Sequence, residues 1–257
     1  FTVATLTGSH VSGFAIAALS STLLSAVFAI LVLFFLANQV AAGLAVGILG
    51  LGVSALIGKN HEGQTIIPLA DLDMGWLSEL PLLGKVLFSH DPMLYLGIVM
   101  IFLVWWLLSH SKLGLIIRAV GESPDAASAV GYPVIFIRFL AILFGGTMAG
   151  IGGAYLTLSY TPLWAEGLVA GRGWIVVALV VFGMWRPLRI AVGAYLFGAV
   201  SLLELFIQGM GFSIPSQLMS AMPYIVTIVI LVIMSRNPRL IQLNHPASLG
   251  QSWYRNT

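Results

Sequence analysis

Residues Val134 to Tyr160 read Val-Ile-Phe-Ile-Arg-Phe-Leu-Ala-Ile-Leu-Phe-Gly-Gly-Thr-Met-Ala-Gly-Ile-Gly-Gly-Ala-Tyr-Leu-Thr-Leu-Ser-Tyr, and Arg138 is their one charged residue. About 20 apolar residues in a helix, at 1.5 Å each, cross the hydrocarbon core of a bilayer. This stretch is long enough to cross, and it predicts a transmembrane helix.

The composition of the whole chain agrees with a membrane protein. Of its 257 residues, 59% are hydrophobic and only 8% are charged, and the mean hydropathy is +1.03. Soluble domains are roughly 45–50% apolar and about 25% charged, so a soluble fold could not bury this much apolar surface. Cysteine is absent, which excludes disulfides, thiolate metal sites and cysteine nucleophiles.

The same length criterion predicts an all-α, polytopic bundle with about seven spans in a single transmembrane domain. The spans are Val11–Ala37, Val40–Gly58, Pro92–Ser109, Val134–Tyr160, Gly173–Met184, Leu188–Gln208 and Met219–Met234. The fifth is too short for a full crossing, which favours a tilted or broken helix. The tight turn at Asn38-Gln39 leaves a second reading open, in which the first two spans are one interrupted element and a re-entrant piece.

The basic residues predict how the spans are oriented. If the spans alternate, one side carries eight of the eleven Lys and Arg residues: Lys112, Arg118, Arg138, Arg186, Arg189, Arg236, Arg239 and Arg255. The positive-inside rule makes that side cytoplasmic. Residues 110–133, 185–187 and the tail 235–257 are then cytoplasmic, and the loop 59–91 is extracytoplasmic. Within that loop, residues 76–88 fit either a helix on the membrane surface or an irregular loop packed against helix ends.

Pairs of small residues four apart predict close packing between the spans. They are Gly43/Gly47, Gly146/Gly150 and Ala149/Gly153. Small residues on one helix face let two backbones approach closely inside a bilayer. Packing is favoured over a ligand site at these positions.

Motifs that would give the chain its own chemistry are missing from the sequence. The segment Gly52–Asn60 has five residues between its glycines and an asparagine where a P-loop needs Ser or Thr for Mg²⁺. The five histidines are scattered, so a metal site is not predicted. No nucleophile elbow is present. The sequence therefore predicts neither an enzyme nor a nucleotide, metal or other cofactor bound by this chain.

The predicted cytoplasmic segment 110–133 contains a short, well-capped helix. Ser123 is a good N-cap, Pro124 suits the first helical position, and Asp125 complements the helix dipole. Gly131 is placed to end the helix, and Pro133 prevents its continuation. The result is a helix of about two turns, Pro124–Val130, whose small side chains allow another protein to hold it closely.

The sequence Arg118-Ala-Val-Gly-Glu-Ser-Pro-Asp-Ala-Ala, with Gly131 after it, resembles the coupling loop of ABC importer permeases of the sugar, nucleoside and branched-chain amino-acid superfamily. Three further blocks resemble the simple-sugar and nucleoside branch: Gly171–Leu188, Tyr195–Gly198 and Met222–Tyr224. The resemblance covers about residues 38 to 236. Family members usually begin with a further span that has no counterpart here, so we expect the natural N-terminus to lie before Phe1.

The resemblance implies a permease subunit that docks on a separate cytoplasmic ABC ATPase, which binds ATP and Mg²⁺. The implied docking residues are Arg118, Gly121, Glu122, Ser123, Pro124, Asp125, Ala126, Ala127 and Gly131, with Gly121 and Gly131 letting the docked helix tilt. It also implies an extracytoplasmic substrate-binding protein, a second and related permease subunit, and a bacterial-type inner membrane. Nucleosides or simple sugars are the implied substrates, and nucleic acid is not a predicted partner.

Buried polar residues are the candidates for the substrate path, because polar groups inside a membrane are costly. Glu204 stands alone in the sixth span, and Gln208 follows one turn later on the same face. Asn38 and Tyr155 are further candidates. The alternatives left open are a branched-chain amino acid or urea permease and an ATP-independent secondary transporter, although the latter predicts more intramembrane charges than this chain shows.

Overall fold

The structure is a computed structural model, and it describes residues 1–72, 75, 88–169, 171–210, 221, 225, 228–229, 232 and 246–254. Its named helices are α1 (Thr2–Thr7), α2 (His10–Leu33), α3 (Gln39–Gly58), α4 (Pro92–His110), α5 (Lys112–Glu122), α6 (Pro124–Ala129), α7 (Val134–Tyr155), α8 (Arg172–Phe182) and α9 (Pro187–Gly209). A 3₁₀ turn extends α3 through His61, and a π-helical turn extends α7 through Tyr160. The predicted all-α class is confirmed, and the one β-type pairing in the described residues is a bridge between Thr65 and Leu163.

Four of these helices are long and apolar enough to cross a membrane: α2, α3 with its extension, α4, and α7 with its extension. They correspond to the first four predicted spans, although α2 ends at Leu33 rather than Ala37. The fifth, α8, has 11 residues and is short, as predicted, and α9 matches the sixth. The seventh predicted span, Met219–Met234, lies outside the described residues except at positions 221, 225, 228, 229 and 232, which are helical.

The first two spans are separate helices, so the reading of one interrupted element with a re-entrant piece is wrong. Residues 34–38 form a turn in which Leu36 has a φ of 54°. Asn38 then begins α3, because its Oδ1 accepts hydrogen bonds from the backbone N–H groups of Val40 and Ala41, both at 3.0 Å. The 20 residues of α3 are enough for a full crossing.

The described chain divides into two compact units, and α2 and α7 form the centre of the first. The first unit comprises Phe1–Ile98, Ile116–Val169 and Gly250–Thr257. The two helices run antiparallel: Gly13 of α2 lies against Leu158, and the other end of α2, at Ala29 and Val32, packs with Ile135 and Phe139.

The seam between α2 and α7 confirms one of the three predicted packing pairs. Gly146 and Gly150 lie directly against Ser25, Ser21 and Ala17 of α2, so closely that a Cβ at either glycine would collide. A hydrogen bond of 2.7 Å joins the hydroxyls of Thr22 and Thr147 across the same seam. The other two pairs make no comparable contact within the described residues, because a Cβ added at Gly47 or Gly153 would meet no atom of another element within 4 Å.

The second unit comprises Val99–Leu115 and Ala170–Leu249, and it contains the hairpin of α8 and α9. Gly171 precedes α8 with a φ of 79°. Met184 and Trp185 both have positive φ in the turn that follows α8. Gly193 of α9 lies beneath Phe182, so the two arms of the hairpin pack closely. The block Gly171–Leu188, which resembles the permease family, thus forms the first arm and the turn of this hairpin, and the block Tyr195–Gly198 lies in its second arm.

The first part of the loop 59–91 is ordered against the helix ends. Ile66 and Leu69 pack on a buried cluster that includes Phe14 and Leu158. Backbone N–H groups at 63, 66 and 69 donate to carbonyls between residues 158 and 164. This part of the loop follows the reading of an irregular loop packed on helix ends, whereas residues 76–87, where the surface helix was the alternative, lie outside the described residues.

Candidate coupling site

The coupling helix α6 (Pro124–Ala129) is present as predicted and ends one residue before Val130. Its cap is the predicted one, because the Oγ of Ser123 accepts a hydrogen bond from the N–H of Ala126 at 3.3 Å. Gly131 has a φ of 98°, a backbone conformation that glycine adopts without strain. The sequence signals at both ends of the helix were therefore read correctly.

The helix has a buried and an exposed side, which divides the predicted docking residues into two groups. Pro124 and Ala127 are buried, and Ala127 packs in a cluster with Val120 at the end of α5 and Val134 at the start of α7. Between residues 118 and 131, the exposed residues are Arg118, Ala119, Glu122, Ser123, Asp125, Ala126, Ala129, Val130 and Gly131. A partner protein can thus contact Ala126 and its exposed neighbours, while Pro124 and Ala127 hold the helix in place.

The helix α5 (Lys112–Glu122) was not predicted, since the sequence analysis placed only one short helix in the segment 110–133. Its start is capped by Ser111, whose Oγ accepts a hydrogen bond from the N–H of Gly114 at 2.9 Å. Leu113 and Leu115 are mostly exposed. Gly121 lies in the last turn of this helix, not between the helices. The signal that could have predicted α5 is a serine followed by spaced apolar residues.

The segment 250–254 packs on the coupling helix, a contact that no local pattern in the sequence predicts. The indole N–H of Trp253 donates to Oδ1 of Asp125 at 2.7 Å. The Trp253 ring packs against the cluster around Ala127. A guanidinium N–H of Arg138 donates to the carbonyl of Gln251 at 3.3 Å. Two of the three segments predicted to be cytoplasmic therefore lie together at one end of α7, the tail through residues 250–254.

An apolar cleft with a volume of about 740 Å³ lies beside the coupling helix. Its walls come from the end of α2, the start of α7 and Trp253, and they include Ile30, Phe34, Phe136 and Phe139. Very little polar surface lines it, so it is not built to hold a polar solute.

Of the four candidates for the substrate path, the structure describes the side chains of two, Asn38 and Tyr155, which lie toward opposite ends of α7. Asn38 is exposed and uses its Oδ1 as the cap of α3. Ala37, beside Asn38, packs with Ile135 at the start of α7, whereas Tyr155 is the last residue of this helix, roughly 30 Å from its start at 1.5 Å per residue. Glu204 and Gln208 are in α9, and their side chains lie outside what the structure describes.

Tyr155 connects two helices through a hydrogen bond to a carboxylate. Its hydroxyl donates to Oδ2 of Asp91 at 2.9 Å. The other oxygen of this buried carboxylate accepts from the N–H groups of Met93 and Leu94, at 2.9 and 3.1 Å, and so caps the start of α4. Asp91 was not among the predicted site residues, although an acidic residue directly before a proline and an apolar run is an N-cap signal.

The described residues contain no group of three His, Asp or Glu side chains placed to hold a metal ion. The segment that resembles a P-loop is helical, because Gly52 and Gly58 both lie within α3. Gly58 packs directly beneath the ring of Trp164.

Comparison with known proteins identifies the family. The family described as "Branched-chain amino acid transport system / permease component" matches residues 1–234. A putative glucose ABC transporter permease protein of Haloferax volcanii is 35% identical over 277 aligned positions, which cover 99% of this chain and 84% of that protein.

Two further relatives are nucleoside transport proteins. A nucleoside ABC transporter permease protein of Lactococcus lactis is 30% identical, over 84% of this chain and 70% of its own length. A guanosine ABC transporter permease protein of Bacillus subtilis is 31% identical, over 82% of this chain and 69% of its own length. No solved structure matches the chain.

These matches confirm the resemblance that the segment 118–131 and the later blocks predicted. They also agree with a chain whose described helices include four of membrane-spanning length and which acts in transport rather than as an enzyme. The chain belongs to the permease component family of the branched-chain amino acid transport system type, and it is a multi-pass membrane permease of the ABC transporter class.

Proposed function

We propose that the chain forms the translocation path of an importer for nucleosides or simple sugars, driven by ATP that a separate cytoplasmic ATPase hydrolyses. The observation that carries the coupling is the two-sided helix α6. Its inner side is fixed by Ala127 and the surrounding valines, while Ala126 and Ala129 face outward. A helix fixed on one side and open on the other transmits the movement of a docked partner to α7.

The substrate class rests on the relatives. Their names refer to glucose, nucleosides and guanosine, and the sequence blocks at 171–188 and 222–224 resemble the same branch. A branched-chain amino acid remains the alternative that the family's description suggests. The substrate panel of any transport assay should therefore include leucine beside a monosaccharide and a nucleoside.

The proposed partners follow from the family. An ABC permease works with an ATPase and a substrate-binding protein, and we propose that the second permease of the complex is a related chain rather than a second copy. In this arrangement ATP and Mg²⁺ are bound by the ATPase chain. The two permeases together supply the alternating access that transport requires.

The docking proposal is tested by two substitutions at one exposed position. Ala126→Trp places a bulky ring on the outer side of α6, and Ala126→Ser changes the size of the side chain very little. We expect the tryptophan variant to lose the ATPase when the complex is purified in detergent, while the serine variant keeps it. Equal retention of the ATPase by both variants would show that this face is not the docking surface.

The proposed orientation places the coupling helix and the C-terminus in the cytoplasm. It is supported by the eight basic residues on that side and by the contact of residues 250–254 with α6. Because the chain has no cysteine, single-cysteine variants report sidedness without background. In intact cells, an impermeant maleimide should label Glu62→Cys, and it should label Glu122→Cys only after permeabilisation. The reverse pattern would invert the orientation.

A further inference from the structure

We infer that Trp253 is a positioning residue, which holds the coupling helix in one orientation against the start of α7 so that ATPase movement reaches the membrane spans. This inference rests on the proposed function. The family model matches residues 1–234, so residues 250–254 lie beyond it. The inference comes from the contacts of the tail alone.

The contacts of Trp253 join three consecutive elements. Its ring packs on a cluster of Val120, Ala127 and Val134, which belong to α5, α6 and α7 respectively. Val120 and Val134 are each 2% exposed, so the ring lies over the most enclosed part of the segment. The indole N–H adds a directional contact with Asp125 on α6 at 2.7 Å. One side chain therefore fixes both the position and the rotation of the short helix.

A second contact anchors the tail itself. The Arg138 side chain, one turn into α7, donates to the backbone carbonyl of Gln251 at 3.3 Å. Because the acceptor is a backbone carbonyl, this contact does not depend on which side chain stands at position 251. It fixes the path of the tail. The tail is thus tied to α7, and Trp253 connects it to α6.

The coupling helix needs such support because it is short. It has six residues, and isolated helices below about 12–15 residues are marginal in water. The break at Ser123 separates it from α5, and the left-handed Gly131 separates it from α7. Without a brace, a force applied to the outer face would rotate the helix about these two breaks instead of moving α7.

The tail supports the helix without covering its outer face. Ala126 and Ala129 stay exposed with the tail in place. The geometry therefore fits a permanent brace and not an inhibitory segment that must leave before the ATPase docks. A variant at Trp253 should accordingly keep its ATPase and lose coupling.

The test compares Trp253→Ala with Trp253→Phe and with Tyr254→Ala. Tyr254 is a neighbouring aromatic residue that is mostly exposed. Each variant is purified as the complete complex and reconstituted with its binding protein. The readouts are ATPase retention, ATP hydrolysis, and substrate taken up per ATP hydrolysed. For Trp253→Ala we expect full ATPase retention and uptake per ATP lowered on the order of fivefold, as one packing contact and one hydrogen bond are lost. The uptake per ATP of Trp253→Phe should lie between the values of Trp253→Ala and Tyr254→Ala. Tyr254→Ala should match the unmodified chain.

A cross-link provides a second test, because it can replace the contact between α6 and the tail that a substitution at Trp253 removes. The chain has no cysteine, so Asp125→Cys combined with Trp253→Cys can be joined by a short bifunctional maleimide. We expect low uptake per ATP before cross-linking and recovery after it, because the link replaces the brace. Inhibition by the link would mean that the tail must release, which contradicts the inference.

Two further outcomes would overturn the inference while leaving the proposed function intact. In one, Trp253→Ala equals Tyr254→Ala in uptake per ATP, so the tail carries no coupling. In the other, Trp253→Ala loses the ATPase, so the tail belongs to the docking surface. Failure of the proposed function gives a different result, because Ala126→Trp would then also leave ATPase retention and transport unchanged.

Discussion

The packing of α2 against α7 leads to a quantitative prediction at Gly150. A Cβ added there would lie 2.5 Å from the carbonyl oxygen of Ala17 and 2.7 Å from the Cβ of Ser21. Favourable contacts between carbon atoms are about 3.5–4.0 Å, so Gly150→Ala forces the two helices apart by on the order of 1 Å. The obstacle is backbone and a short side chain, neither of which can rotate away. Overpacking of this kind costs about 1–3 kcal/mol.

The matched control for this change is Gly152→Ala on the same helix. A Cβ added at Gly152 would meet no described atom of another element within 4 Å, so the added methyl group meets no obstacle there. Both substitutions gain the same helix propensity, about 1 kcal/mol in water. The difference between the two variants therefore isolates the clash, and we expect Gly150→Ala to be the less stable by about 1–3 kcal/mol.

In the assay, the purified chain is heated in mild detergent. Unfolding is detected as the loss of the monodisperse peak in size-exclusion chromatography. Gly150→Ala should lose its peak at a lower temperature than Gly152→Ala, which should equal or exceed the unmodified chain. Identical midpoints for the two variants would refute the close packing of α2 and α7 at this position.

Three further changes test other contacts by the same unfolding assay, and the first of them also by amide hydrogen exchange. Ser123→Ala removes the cap of the coupling helix and should destabilise it by about 1 kcal/mol, measured as faster amide hydrogen exchange in residues 124–129. Asp91→Ala removes both the cap of α4 and the acceptor of the Tyr155 hydroxyl, and it should lower stability by about 1–3 kcal/mol, whereas an unchanged midpoint would contradict the bond. Gly58→Ala drives a methyl group into the ring of Trp164 and should lower the midpoint more than Ser123→Ala does.

Most of the fold follows from the sequence because the bilayer simplifies the problem. Every backbone polar group inside a membrane has to be satisfied within its own segment, so an apolar run of sufficient length becomes a helix. The run Val134–Tyr160 shows this, since the helical stretch begins and ends at the predicted residues. The cap at Ser123 and the helix end at Gly131 could also be predicted from the sequence, because both act locally.

Contacts between distant parts of the chain, and the role of some polar residues, could not be predicted from the sequence. The cap at Asn38 is local, but a polar residue near a span end fits a cap and a substrate ligand equally well. The brace at Trp253 depends on a fold that returns the tail to residue 125, and no local pattern encodes that return. The bond between Asp91 and Tyr155 joins positions 64 apart, which a single sequence without related sequences cannot pair.

The most direct test of the account is substrate uptake by proteoliposomes that contain this chain, its partner permease, its ATPase and its binding protein. The account predicts uptake of a nucleoside or a monosaccharide only when hydrolysable ATP is present on the ATPase side, and loss of that uptake in Ala126→Trp but not in Ala126→Ser. Uptake by the chain without any ATPase, driven by an ion gradient instead, would contradict it.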